Sequence, residues 1–166
     1  MPPPLQPTKH VEEPEYVLPV LTRWVRGALL AVAAGLVLVF AIALWLNPYD
    51  QEGRPRRLET HTQMGLPPCT FKTVTGLPCP SCGMTTSFAL LMHGDVWNSL
   101  KANAVGTLLA AFCLGLVPWC LAGVIRGRPY FVWSLERALT RLIVIFLILM
   151  LVRWVVVIGL AFASRW

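Results

Sequence analysis

The sequence predicts an all-α integral membrane protein with about three transmembrane helices, a cysteine-bearing loop and a short interfacial helix. Three observations carry that prediction. Apolar residues make up 56% of the chain and charged residues only 13%, against about 25% charged in an ordinary soluble domain. Gly27 to Leu46 contains no charged residue, and twenty helical residues at about 1.5 Å each cover the hydrocarbon core of a bilayer. Ala104 to Ile125 and Leu142 to Ala163 are also long enough to span, the latter interrupted only by Arg153. Nothing alternates with the two-residue period that a membrane β-barrel requires.

Residues 1–22 include Pro2, Pro3, Pro4, Pro7, Pro14 and Pro19. They lack the apolar mass to fold alone and read as a disordered tail, leaving 23–166 as a single membrane domain. The first span, about 24–46, is bracketed by Trp24 and Trp45, where interfacial indoles prefer to sit. It is expected to be retained rather than cleaved as a leader. The segment before it is Pro-rich and carries Glu12, Glu13 and Glu15, unlike the short basic region of a secretory signal. Asn47-Pro48 stops this helix.

After a polar stretch with Arg54, Arg56 and Arg57 comes the cysteine loop, 61–83. Met84 to His93 then reads as a short apolar helix, interfacial or re-entrant, with Gly94 as its left-handed C′ residue and Asp95 as the N-cap of the next helix. That next helix is expected to run from Val96 into the second span, about 102–125, without a break. Gly127 and Pro129 end it, and Pro118 is placed to kink it. Gly106, Ala110, Cys113, Val117 and Cys120 recur at spacings of four and three, which puts small residues on one face for close helix approach. Cys113 and Cys120 accordingly read as packing residues.

The third span, about 140–163, holds Arg153 near its middle. A charge there costs about 2.5–3.5 kcal/mol on insertion scales. No acidic residue lies inside any span to pair with it, so snorkelling or a hydrogen bond to helix carbonyls is expected. Asn103, at the start of the second span, is a candidate for bonding across helices.

The chemistry concentrates in Cys69, Cys79 and Cys82. The core reads Thr75-Gly76-Leu77-Pro78-Cys79-Pro80-Ser81-Cys82-Gly83. Cysteines at C-x-x-C spacing can place two sulfurs on one metal ion or close a small disulfide ring, and Pro80 and Gly83 shape the turn between and after them. Zinc is the candidate cofactor, with Cys69, Cys79 and Cys82 as three ligands and His61 or His93 as a fourth. The same atoms allow thiol–disulfide exchange by Cys79 and Cys82, although no thioredoxin-like βαβ pattern surrounds them. Thr85, in the first turn of the short helix, caps or bonds backbone in the simplest reading.

These residues, with Phe88-Ala89 and Gly94-Asp95, resemble a bacterial family of small membrane proteins known as domain of unknown function 2752. Its pattern is a cysteine, then T-G-x-P-C-P-x-C-G-x-T-R, a short helix ending in G-D, and N-P before a span. The resemblance covers about residues 66–125. Thr86 stands where the family usually has Arg, and Ala104 where Pro is usual. The resemblance implies a multi-pass membrane protein and brings no established activity with it.

Near the spans, Lys9, Arg23, Arg26, Arg126, Arg128, Arg137 and Arg141 mark one side, and Arg54, Arg56, Arg57, Lys72, Lys101 and Arg165 the other. Residues closest to the spans favour a cytoplasmic tail and an extracytoplasmic cysteine loop, in a bacterial inner membrane. No basic and aromatic interleaving points to nucleic acid. No phosphate-binding loop, Ser-His-Asp arrangement or carboxylate pair points to hydrolysis. The expected role is a non-enzymatic membrane component whose loop is stapled by metal or disulfide. A membrane thiol–disulfide oxidoreductase and an oligomeric channel or carrier are the alternatives. The lipid bilayer is the expected partner, with a protein partner or a homo-oligomer beside it.

Overall fold

The computed structural model describes residues 22–127 and 135–163. The Pro-rich tail, Lys9, Arg128, Pro129 and Arg165 lie outside them. The described chain is helical: α1 (Arg23–Trp45), a 3-10 turn (Thr60–Met64), α2 (Thr70–Thr75), α3 (Met84–Met92), α4 (Val96–Arg126) and α5 (Leu135–Ala163). There is no strand among the described residues, only an isolated bridge between Tyr49 and Pro55.

Three helices are long and apolar enough to cross a membrane: Arg23–Trp45, Val96–Arg126 and, within α5, Arg137–Ala163. They run up, down and up. At one end Gly127 meets Arg26 and Gly123 meets Leu29. At the other end lies the cysteine loop. Most large side chains on these helices are exposed, as lipid-facing residues should be, and α5 makes few contacts with its neighbours.

The long helix α4 is not continuous, contrary to the sequence expectation. Asn103 has φ −158 and ψ 100, which splits α4 into limbs 96–102 and 104–126. In an unbroken helix residues 99 and 107 would be separated by about 12 Å of rise. Here Ser99 Oγ and Thr107 Oγ1 are 2.7 Å apart, so the chain turns sharply at Asn103. Asn103 is the N-cap of the second limb: its Oδ1 accepts the Gly106 N–H at 3.0 Å, three positions on, as N-caps do. Ala104 occupies N1, where proline also fits well. At Pro118, by contrast, the backbone dihedrals stay helical, although proline has no N–H to give to Leu114 O.

The connection between α3 and α4 follows its sequence signals closely. Gly94 has φ 81 and donates to Leu91 O at 3.0 Å, while Asp95 N–H reaches Leu90 O at 2.9 Å. That pair of bonds is a Schellman closure. Asp95 Oδ1 then caps α4 by accepting the Asn98 N–H at 3.1 Å.

The core forms where α1, α3 and α4 meet. Phe40 stacks on Phe88 with centroids 6.0 Å apart, so α3 lies against the apolar part of α1 rather than apart from the bundle. Ser87 packs so closely on Gly106 that any β-carbon there would collide with its hydroxyl. This close approach is the use of the small-residue seam: Gly106, Ala110 and Cys120 are buried and Cys113 is half-buried. Much of this core is polar. Thr60, Thr86, Ser87, Ser99, Asn103 and Thr107 are all buried, and they bond to one another and to backbone. Buried hydroxyls that are fully satisfied hold one arrangement of the backbone, because every displaced partner would be left unpaired.

Candidate metal centre

The cysteine loop is built by two turns that converge. Cys69 is the N-cap residue of α2, yet its side chain makes no cap bond, which leaves the sulfur to face inward. Gly76, with φ 69, ends α2, and the Leu77 N–H is taken by Thr75 Oγ1 at 3.2 Å. The second turn follows. Cys82 N–H donates to Cys79 O, and Met84 N–H to Ser81 O, each at 3.1 Å. Gly83, with φ 83, leads into α3. A β-carbon on Gly83 would stand 2.7 Å from Ala102 O and 3.0 Å from Arg57 O, so glycine is required twice over, by conformation and by space.

The result is a triad. The sulfurs of Cys69, Cys79 and Cys82 all lie within 4.8 Å of one another. Cys79 Sγ and Cys82 Sγ are 2.9 Å apart, and the Cys79 N–H points at Cys82 Sγ from 3.2 Å. All three residues are half-buried free thiols. Sulfurs sharing one tetrahedral zinc sit about 3.8 Å apart, given Zn–S of about 2.3 Å. The triad approaches that geometry: the close pair must open by about 0.9 Å, and no pair is wider than 4.8 Å.

Each wall of the triad is pinned from another element. Asn103 Nδ2 donates to Cys82 O at 3.2 Å. Trp154 Nε1 donates to Pro78 O at 2.9 Å, and its ring meets Phe71 edge-on. Thr60 Oγ1 donates to Thr86 Oγ1 at 2.8 Å, tying the 3-10 turn to α3. Arg153 Nη2 donates to Ala102 O at 2.9 Å. The Gly106 N–H that would meet this carbonyl in an unbroken helix goes to Asn103 instead. Arg153 therefore bonds a helix carbonyl, as the sequence suggests, but one orphaned by the break in α4.

The thiols are not equivalent. Burial raises the pKa of Cys79, but hydrogen bonds from Cys82, Ser81 and Cys69 outweigh it and hold Cys79 below the ordinary thiol range. Burial, together with the bond to Cys79, pushes Cys82 up to about 12. Cys79 is thus the thiol of the pair that ionises first. Lys72, bonded to Glu59 at 2.7 Å, is held above the ordinary lysine range by that bond.

The remaining predicted residues divide. His61 and Thr85 line the same cavity as the three cysteines, a space of about 240 Å³. The ring of His61 is 3.3 Å from Pro67 O, and its nitrogens fall outside the tight triad. His93 is not brought to the cysteines. It closes the other end of α3, bonded to Ala89 O through Nδ1 and packed edge-on against Tyr49. Gly94 and Asp95 serve the α3–α4 turn.

Sequence reasoning missed Glu59 and Trp154. Glu59 lines the cysteine cavity and is the one non-glycine residue with positive φ among those described, at 68, a conformation that costs energy and clusters at functional sites. No local signal marks it. Trp154 had one: an indole beside a mid-span arginine, where a buried N–H needs an acceptor.

Residues 69–117, from the first cysteine of the triad through most of the second apolar helix, match the model of a family described as a protein of unknown function, DUF2752. This is the family expected from the C-P-x-C-G motif. No curated protein and no solved structure matches the chain.

Proposed function

We propose that this chain is a non-enzymatic, multi-pass membrane protein in which Cys69, Cys79 and Cys82 hold one zinc ion, and that the ion staples α2 and the Cys79–Cys82 turn to the start of α3. The observation that carries this reading is the third sulfur. A disulfide uses two cysteines, whereas here three converge from separate turns within 4.8 Å. Zinc supplies a fixed tetrahedral node with no redox chemistry of its own. His61 and Glu59 line the same cavity as the three cysteines and are the candidates for a fourth ligand there.

The loop is assigned to the extracytoplasmic side. Arg23, Arg26 and Arg126 lie at the opposite end of the bundle, where Gly127 meets Arg26, and Arg137 and Arg141 open α5 at the same end. The stapled loop is then a rigid platform for a protein partner or a second copy of the chain.

Metal content of protein purified in detergent under reducing conditions tests the reading. One zinc per chain is expected, and none in Cys79→Ser. Metal-free protein would sink it. A second reading, thiol–disulfide exchange, is favoured by one observation: the 2.9 Å pair in which Cys79 is the more acidic thiol. In that case Cys82→Ala would trap a partner on Cys79 as a mixed disulfide, an outcome the zinc reading does not expect.

A further inference from the structure

Arg153 presents an electrostatic problem that its hydrogen bond does not solve. It is half-buried, and no Asp or Glu lies in any of the three apolar segments. Its bond partner, Ala102 O, is a neutral carbonyl. A cation in an apolar segment bonds backbone carbonyls or pairs with an opposite charge, and only the second neutralises it.

The backbone shows what is nearby. Ala102 O, which Arg153 holds, lies against Gly83, the residue after Cys82. Asn103, the next residue, holds Cys82 O. Trp154, adjacent to Arg153 on α5, holds Pro78 O, the residue before Cys79. Arg153 therefore sits against the stretch of chain that carries Cys79 and Cys82, and its charge acts on both sulfurs. Lys72 also acts on Cys82 and Cys69, but its charge is already paired with Glu59 at 2.7 Å.

We propose that Arg153 is the counter-charge of the loaded metal centre, a positioning residue that makes the site electrically neutral when the ion is bound. The inference rests on the zinc reading above. Its charges balance as follows. Three thiols lose three protons as one divalent ion binds, giving a centre of charge −1. Arg153 carries +1, so the loaded assembly is neutral. Without Arg153 an uncompensated anion would remain beside the apolar bundle, a state that burial disfavours.

This distinguishes the charge of Arg153 from its hydrogen bond. Arg153→Gln keeps a donor and loses the charge, whereas Arg153→Lys keeps the charge. The experiment is a zinc competition titration of the full chain in detergent, with zinc alone as the probe. The Gln variant is expected to bind zinc about 10–100-fold more weakly, as loss of a partner around a metal site does. The Lys variant is expected to stay close to wild type. A Gln variant that matches wild type, or Gln and Lys variants that weaken equally, would overturn the proposal. Arg153→Met, which keeps the apolar stem and loses both charge and donor, replaces Gln if that variant does not fold. The rise in melting temperature on adding zinc is a second readout and should shrink in Gln or Met but not in Lys. The two layers fail separately. A wild-type chain that takes up no zinc removes the metal reading and this inference with it, whereas tight binding in wild type and Arg153→Gln alike removes this inference alone.

Discussion

Replacing Asn103 by alanine should unfasten the cysteine turn from the membrane bundle. Asn103 is fully buried and does two things at once. Its Oδ1 caps the second limb of α4 at Gly106 N, and its Nδ2 holds Cys82 O. Loss of a cap costs about 1 kcal/mol, and loss of a side-chain bond to a buried carbonyl about another 1 kcal/mol. The sum, about 2 kcal/mol, is roughly a thirtyfold change in the folded-to-unfolded ratio. Asn103→Ser separates the two. Serine still caps but is too short to reach Cys82, so about half the loss is expected. Reversible denaturation by SDS in mixed micelles, followed by tryptophan fluorescence, measures the difference. Both variants should also expose Cys82 to faster alkylation. Ser and Ala variants that lose the same amount, or an Ala variant as stable as wild type, would refute the assignment of two separate roles.

Gly83→Ala should cost more than about 3 kcal/mol, since a left-handed alanine costs about 1–3 kcal/mol before its β-carbon meets Ala102 O and Arg57 O; loss of a monodisperse peak and of the thermal transition would show it. Trp154→Phe keeps the apolar contact with Phe71 but leaves Pro78 O without its donor, so a loss of about 1 kcal/mol is expected in the same denaturation assay. In metal-stripped, reduced protein, Cys79 should alkylate with a midpoint below the ordinary thiol value of 9.0, while Cys82 stays protonated until the pH nears about 12. Because folding favours the Cys82 thiol, that contribution to stability is intact below pH 9 and is lost as the pH climbs toward about 12. A single shared midpoint near 9 would contradict the split.

The spans were legible because their signal is local: an uncharged run of twenty residues needs no partner to be recognised. The Gly94–Asp95 junction was legible for the same reason, since a left-handed C′ residue and an N-cap each act within four positions. The break at Asn103 was not. The apolar character of residues 96–126 continues through it, and with alanine rather than proline at 104 nothing in the hydropathy marks the turn. It exists because Ser99 and Thr107 meet, and because Cys82 and Arg153 occupy the groups it frees.

The site divides along the same line. The Cys79 and Cys82 spacing is local, and the pair could be read from the motif. Cys69 could be listed as a third ligand, but only the fold of α2 against the turn brings its sulfur within 4.8 Å. His61 and His93 were both candidates by residue type, His93 the weaker because it stands at the end of a short helix. Tertiary placement separates them, with His61 at the cysteine cavity and His93 at the far end of α3.

X-ray absorption at the zinc edge of the detergent-purified, zinc-loaded chain tests the central claim most directly. The account predicts three sulfur neighbours at about 2.3 Å, falling to two in Cys69→Ser. A first shell of nitrogen and oxygen alone, or an unchanged sulfur number in Cys69→Ser, would contradict it.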